Sequence, residues 1–257
     1  MRRSKAVNYL LIFCVFLVSA CGQQDGGNNK ITIATAANMQ FAMEELAKVF
    51  TKQSGVECEL IIGSSGKLTA QIKEGAPYDV FVAANMKYPQ ELYNSKLTRT
   101  SPEIYAFGKL VLWSMVDDID PSITLLTDKG IEHIALANPI TSPYGVAATE
   151  ALNYYRIYNK VEDQLVFGES VAQTNQFITS QSAEVGFTAM SVVVSPKMKG
   201  KGKWIEMGAS TYTPIEQAVV VIKRQNEVNQ LAMEFYKFLF TNEAKEILTN
   251  FGYGVDE

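Results

Sequence analysis

The chain has 257 residues, of which 47% are apolar and 19% charged, with a net charge of −4. That composition suits one large or two small globular domains and excludes a disordered chain. With 23 Lys+Arg against 27 Asp+Glu it lacks the basic surface that nucleic acid requires. One histidine, His133, and three cysteines, none at metal-ligating spacing, exclude a zinc centre.

The first twenty residues differ from the rest. Arg2, Arg3 and Lys5 precede an apolar run from Leu10 to Val18, and Ser19 and Ala20 follow, which is the charge, apolar, small-residue order of a secretory signal. The run is shorter than the roughly 20 residues of a membrane-spanning helix. Residues 1–20 therefore read as a cleaved signal. The stretch "LVSAC" resembles the lipobox of bacterial lipoproteins, with Val18 where leucine is commonest; that resemblance makes Cys21 the acylated mature N-terminus. Ordinary cleavage near Ala20, releasing a free protein, is the alternative. Residues 21–29, rich in Gly, Gln and Asn, read as a flexible tether. Cys14 leaves with the signal, so Cys58 is alone and no intramolecular disulfide is expected. Removing the three basic leader residues leaves 20 basic against 27 acidic groups, a net −7. An anionic ligand must then be drawn by local dipoles and not by the field of the whole molecule.

From Lys30 onward, short apolar runs alternate with amphipathic ones. "ITIATA" (31–36), "VECELII" (56–62), "YDVFVA" (78–83), "KLVLWSM" (109–115), "HIALAN" (133–138), "EVGFTA" (184–189) and "QAVVVIK" (217–223) read as strands, mostly continuous in the manner of buried parallel ones. "MQFAMEELAKVFTKQ", "GVAATEALNYYRIY" and "NQLAMEFYKFLF" carry apolar residues at helical spacing. The alternation predicts an α/β fold with mixed, mostly parallel sheets. Short polar or glycine-containing links near Phe107 to Lys109 and Tyr212 to Ile215 suit two crossings between lobes, with a ligand cleft between them.

Four strand-to-helix junctions carry small or neutral polar residues, where ligands gather in α/β sheets. The first is Thr35, Ala36, Ala37 and Asn38, with Asn38 placed to cap the next helix. The second is "GSSGKL", where Ser64, Ser65 and Gly66 precede a helix starting near Lys67. This is not a nucleotide P-loop: Gly63 and Gly66 are too close for the wrap, and Leu68 stands where the metal-binding hydroxyl belongs. Lys67 is expected to be solvated. The third junction has Pro143 and Tyr144 opening a helix. The fourth has Ser170 and Val171, beside a Glu169 read as a surface or capping group. Helix starts offer unpaired N–H donors and about half a unit of positive charge each. A site of donors only favours a fully deprotonated oxyanion over one whose O–H needs an acceptor. No nucleophile and base are paired; Glu44 with Glu45, Asp117 with Asp118 and His133 read as surface groups, so no enzyme is expected and no cofactor.

In this order the motifs "ITIATAANMQFAMEELAKVF", "GSSGKLTAQIKEGAPYDVFVAAN", "ANPITSPYG", "VAQTNQFI" and "YKFLFTNEAKEILTNFGY" resemble the molybdate-binding proteins of bacterial ABC transporters. The resemblance implies a two-lobed, type II periplasmic binding fold, lobe one from 30–107 and 213–257, lobe two from 108–212. It implies capture of molybdate and tungstate, with sulfate as the alternative anion. Implied partners are a permease and an ATPase, reached by an exported monomer held to a membrane through Cys21. Ala37, Asn38, Ser65, Tyr144 and Val171 are the implied anion ligands, with Thr35, Ser64, Gly66 and Ala189 as further candidates. At Ala189 some members carry a tyrosine whose hydroxyl reaches the anion. Either the Asn38 amide replaces that bond or the site has one donor fewer. A ligand-sensing regulator can share the fold, but it needs a DNA-binding domain where this chain has a secretion signal.

Overall fold

A computed structural model of the protein describes residues 29–224 and 230–255. The expected signal segment, Cys21 and the tether apart from Asn29 lie outside the described residues. Two five-stranded mixed sheets organise the rest, each with its own helices. The first runs β2-β1-β3-β10-β4, from β1 (Lys30–Ala36), β2 (Glu57–Gly63), β3 (Val80–Ala83), β4 (Glu103–Gly108) and β10 (Ile215–Val221). The second runs β7-β6-β8-β5-β9, from β5 (Leu110–Ser114), β6 (Ile134–Ala137), β7 (Leu165–Gly168), β8 (Val185–Ala189) and β9 (Lys203–Glu206). The chain leaves the first sheet between Gly108 and Leu110 and returns to it at Ile215.

The apolar runs are continuous because both faces of these strands are covered. In the first sheet Ile31, Ile33, Val80, Val82, Val219 and Val221 enter one core cluster, with Met43, Leu46, Phe50 and Phe235. Their neighbours Ala34, Phe81, Ala83, Val220 and Ile222 enter another, with Leu68, Ile72 and Leu92. A strand buried on both sides loses its alternation. Such a run reports burial and not direction: β1 pairs in parallel with β2 and β3, whereas β10 lies antiparallel to β3 and β4. Likewise β6 is parallel to β7 and β8, and β5 is antiparallel to β8 and β9.

Three strands lie outside the seven runs read from the sequence. β4, β7 and β9 each lie at an edge of their sheet, and all four residues of β9, "KWIE", are exposed. Cys58, on edge strand β2, is a free cysteine whose thiol burial pushes up to about 11, so it stays protonated. Among the described residues no helix is long and apolar enough to cross a membrane.

The parallel register sets where the helices begin. β1 and β2 end level, Ala36 opposite Gly63, and β6 and β7 end level, Ala137 opposite Gly168. After these ends come the turn Ala37–Met39 into helix Gln40–Ser54, helix Ser65–Lys73, helix Pro143–Tyr154 and helix Val171–Thr179. Helix Pro143–Tyr154 sits hard against its sheet: a Cβ at Gly145 would lie 2.0 Å from the Ala137 carbonyl oxygen and 2.8 Å from the Pro139 nitrogen. Both are backbone atoms, so relief requires the helix itself to move. Gly145→Ala is expected to destabilise by about 2 kcal/mol or more, the scale of core overpacking. Thermal denaturation of the ligand-free protein checks this; an unchanged Tm contradicts the packing.

Candidate functional site

The second, third and fourth helix starts each use some of their free N–H groups within the protein and leave others. At the second, Ser64 is the N-cap: its hydroxyl accepts from Lys67 N–H at 3.4 Å, and its carbonyl accepts from Leu68 N–H. Gly66 N–H donates to the Thr141 carbonyl at 2.9 Å. Ser65 N–H remains, since the first amides of a helix have no partner inside it. The Ser65 hydroxyl accepts from Ala84 N–H at 3.0 Å, which occupies a lone pair and leaves its proton free to donate.

At the third start, Gly145 and Val146 N–H both go to the Ser142 carbonyl and Pro143 has none, leaving Tyr144 N–H. At the fourth, the Ser170 hydroxyl accepts from Gln173 N–H at 3.5 Å and its carbonyl from Thr174, leaving Val171 and Ala172 N–H. The five residues expected to hold an anion are almost wholly out of solvent: Ala37 4% exposed, Asn38 2%, Ser65 1%, Tyr144 2% and Val171 3%. Unpaired amides at such depth need an acceptor.

Contacts between the two lobes bring these starts together. Ala36, Ala37 and Ala84 of the first lobe share a core cluster with Tyr144, Val171 and Ala189 of the second, and turn Ala37–Met39 packs on helix Val171–Thr179. Asn138 N–H donates to the Gly168 carbonyl at 2.7 Å and ties the ends of β6 and β7. The Gly66 to Thr141 bond and Tyr88 hydroxyl to the Ile140 carbonyl, 3.2 Å, join the lobes on one side of the site. Lys197 pairs with Glu44 at 3.0 Å on another, and Lys67 pairs with Glu169 at the rim.

Deeper in, Ser191 hydroxyl donates to the Asn38 carbonyl at 2.7 Å, and the Tyr253 hydroxyl lies 3.0 Å from that carbonyl and 3.1 Å from Ser191 Oγ. Asn38 Nδ2 donates to Gln217 Oε1 at 2.8 Å and to Tyr253 at 3.0 Å. Burial pushes the Tyr253 and Tyr144 phenols above their ordinary range, so both stay neutral.

Several expectations change. Asn38 does not cap the first helix: it sits inside the turn Ala37–Met39, the N-cap is Met39, and there is no side-chain cap. Its amide is spent on Gln217 and Tyr253, so Asn38 does not supply the donor that Ala189 lacks. Gly66 has given its N–H to Thr141, and Ser64 serves as a cap. Lys67 and Glu169 are not independent surface groups but partners across the cleft. Thr35 is fully buried at the end of β1, and its hydroxyl has no partner within the protein. Tyr253, Ser191 and Gln217 were not singled out by sequence reasoning. Each is remote in the chain from Asn38, and no local pattern marks them. Among the described residues no group of His, Cys, Asp and Glu is placed to hold a metal ion.

Residues 31–254 match the family model described as bacterial extracellular solute-binding protein. The chain belongs to that family. Within the solute-binding proteins, it is 34% identical over 239 residues to the molybdate-binding protein ModA of Azotobacter vinelandii, covering 92% of this chain and 93% of the relative. ModA of Rhodobacter capsulatus is also 34% identical, over 98% of this chain and 96% of the relative. Among solved structures, the Azotobacter vinelandii periplasmic molybdate-binding protein superposes with a TM-score of 0.83 at 33% identity, covering 88% of this chain and all of the other. These relatives are binding proteins and not enzymes.

The rim pair Lys67 to Glu169 is about half exposed on both sides. Exposed pairs of this kind contribute about 0 to 1 kcal/mol. Lys67→Ala is therefore expected to weaken molybdate binding by less than tenfold, and the difference should vanish at high salt. A larger, salt-independent loss would place Lys67 on the ligand itself.

Proposed function

We propose that this protein captures molybdate, and tungstate with it, outside the cytoplasm and presents it to the permease and ATPase of an ABC importer. It does so as a monomer anchored through acylated Cys21. The lobes divide at 107/108 and 212/213 and close over the anion as two bodies hinged at those crossings. The observation that carries the reading is the set of buried residues Ala37, Asn38, Ser65, Tyr144 and Val171 at helix starts, with N–H groups left at Ser65, Tyr144 and Val171 and no charged side chain among them.

Such a set has a definite chemical preference. A dianion whose oxygens all accept can satisfy every N–H and the Ser65 hydroxyl at once, while the fixed dipoles of the helix starts offset its charge. Hydrogen phosphate would bring a donor into a cage of donors, leaving its O–H unsatisfied at a cost of about 1 to 3 kcal/mol. Sulfate meets the same chemistry in a smaller shell. A closed cage with fixed donors rejects it by stretching hydrogen bonds. The relatives named for molybdate and the order of the motifs support molybdate over sulfate.

Calorimetric titration with molybdate, tungstate, sulfate and phosphate tests the reading. Tight binding of the first two and silence from the others is expected; binding of sulfate alone would change the substrate, and no binding would overturn the proposal. Ser65→Ala removes a hydroxyl already oriented by Ala84 and should weaken molybdate binding by about 1 to 3 kcal/mol, the scale of a hydrogen bond to a charged group. Affinity equal to the wild type would remove Ser65 from the site.

A further inference from the structure

Tyr253 stands two residues before the last described residue and far in sequence from every helix start, yet it is buried among the groups that orient the first of them. Its segment is stitched to the strand that leads into the first crossing: Phe107 N–H donates to the Gly254 carbonyl at 2.7 Å, and Gly254 N–H to the Phe107 carbonyl at 2.9 Å. On the other side, Gly252 adopts φ +78°, and a Cβ there would lie 2.8 Å from the Met190 side chain of the second lobe. The segment thus spans the joint between the lobes, and the Tyr253 hydroxyl points inward from it.

The hydrogen bonds at that hydroxyl close into a ring. A phenol has one proton and can accept as well as donate. Asn38 Nδ2 donates to the Tyr253 oxygen at 3.0 Å; the Tyr253 proton is shared between Ser191 Oγ at 3.1 Å and the Asn38 carbonyl at 3.0 Å; the Ser191 proton goes to the Asn38 carbonyl at 2.7 Å. Every group has a partner, and both ends of the ring belong to Asn38. The second proton of the Asn38 amide holds Gln217 of β10. Carbonyl and side chain of Asn38 are therefore fixed together, which orients the turn Ala37–Met39. Ser191 is the only member of the ring from the second lobe. Opening the lobes removes it, so the Asn38 carbonyl loses the Ser191 proton and keeps only the Tyr253 hydroxyl, 3.0 Å away in its own lobe.

We infer that Tyr253 is a positioning residue for the anion site: with Ser191 it locks the Asn38 turn in its donor orientation when the lobes are closed, so that closure and anion retention are one event. This rests on the oxyanion-capture reading. The ring forms only in the closed protein, so its loss acts on release and not on encounter. Ser191, from the second lobe, reaches both the Asn38 carbonyl and Tyr253 of the C-terminal segment.

The test measures molybdate association and dissociation rates by stopped flow, with calorimetric affinity and ligand-free Tm, for wild type, Tyr253→Phe, Ser191→Ala and the double variant. Tyr253→Phe keeps the buried ring and removes only the hydroxyl. The dissociation rate is expected to rise about tenfold, the scale of one lost hydrogen bond, with the association rate unchanged. The double variant should be little worse than either single one, because both break the same ring. A fall in Tm with unchanged dissociation would make Tyr253 merely structural and overturn the inference, as would two losses that simply add. Should Tyr253→Phe fail to fold, Ser191→Ala reads the same bond from the other lobe, and its unchanged dissociation rate would be equally decisive against it. Wild-type protein that binds neither molybdate nor tungstate would instead bring down the capture reading, and this inference with it.

Discussion

Four helices drawn from two separate sheets begin with amides that no partner inside the helix can satisfy, and the packing around them takes the starts out of water. Each such N–H is a demand for an acceptor. The register of β1 with β2 and of β6 with β7 puts the starts at level strand ends, and the short Asn138 to Gly168 bond holds one pair together. What remains at Ser65, Tyr144 and Val171, after Ser64, Ser142 and Ser170 have met the neighbouring amides, points to a ligand made only of acceptors.

The electrostatics follow the same logic. Lysines near the cleft are already committed, Lys67 to Glu169 and Lys197 to Glu44, and both pairs tie one lobe to the other. Their charge is balanced by a carboxylate of the other lobe. A neutral site inside an acidic protein discriminates by the number and direction of hydrogen bonds, which separates a bare dianion from one that keeps a proton. A positive side chain in the site would blur that difference by attracting both.

Much of this was legible in the sequence, for physical reasons. Strands buried on both faces wrote themselves as unbroken apolar runs, and serine and proline marked the helix starts because capping chemistry demands such residues there. Edge strands such as "KWIE" at β9 were not legible, because an exposed strand has no apolar signature. Nor was the direction of β5 and β10, since burial is blind to it. At the site, the local residues could be named, but their use could not. Asn38 reads as a helix cap in any window of ten residues; that its amide instead meets Gln217 and Tyr253, 179 and 215 residues away, is a product of the fold alone.

The central claim is that one oxyanion sits among the five buried residues at the helix starts with both lobes closed on it. Crystals grown with molybdate, measured above the molybdenum absorption edge, test it most directly. A single anomalous peak within hydrogen-bonding reach, through its oxygens, of Ser65, Tyr144, Val171 and the Ala37–Asn38 turn is the predicted result. A peak elsewhere on the surface, or none in crystals of protein saturated with molybdate, would contradict the account.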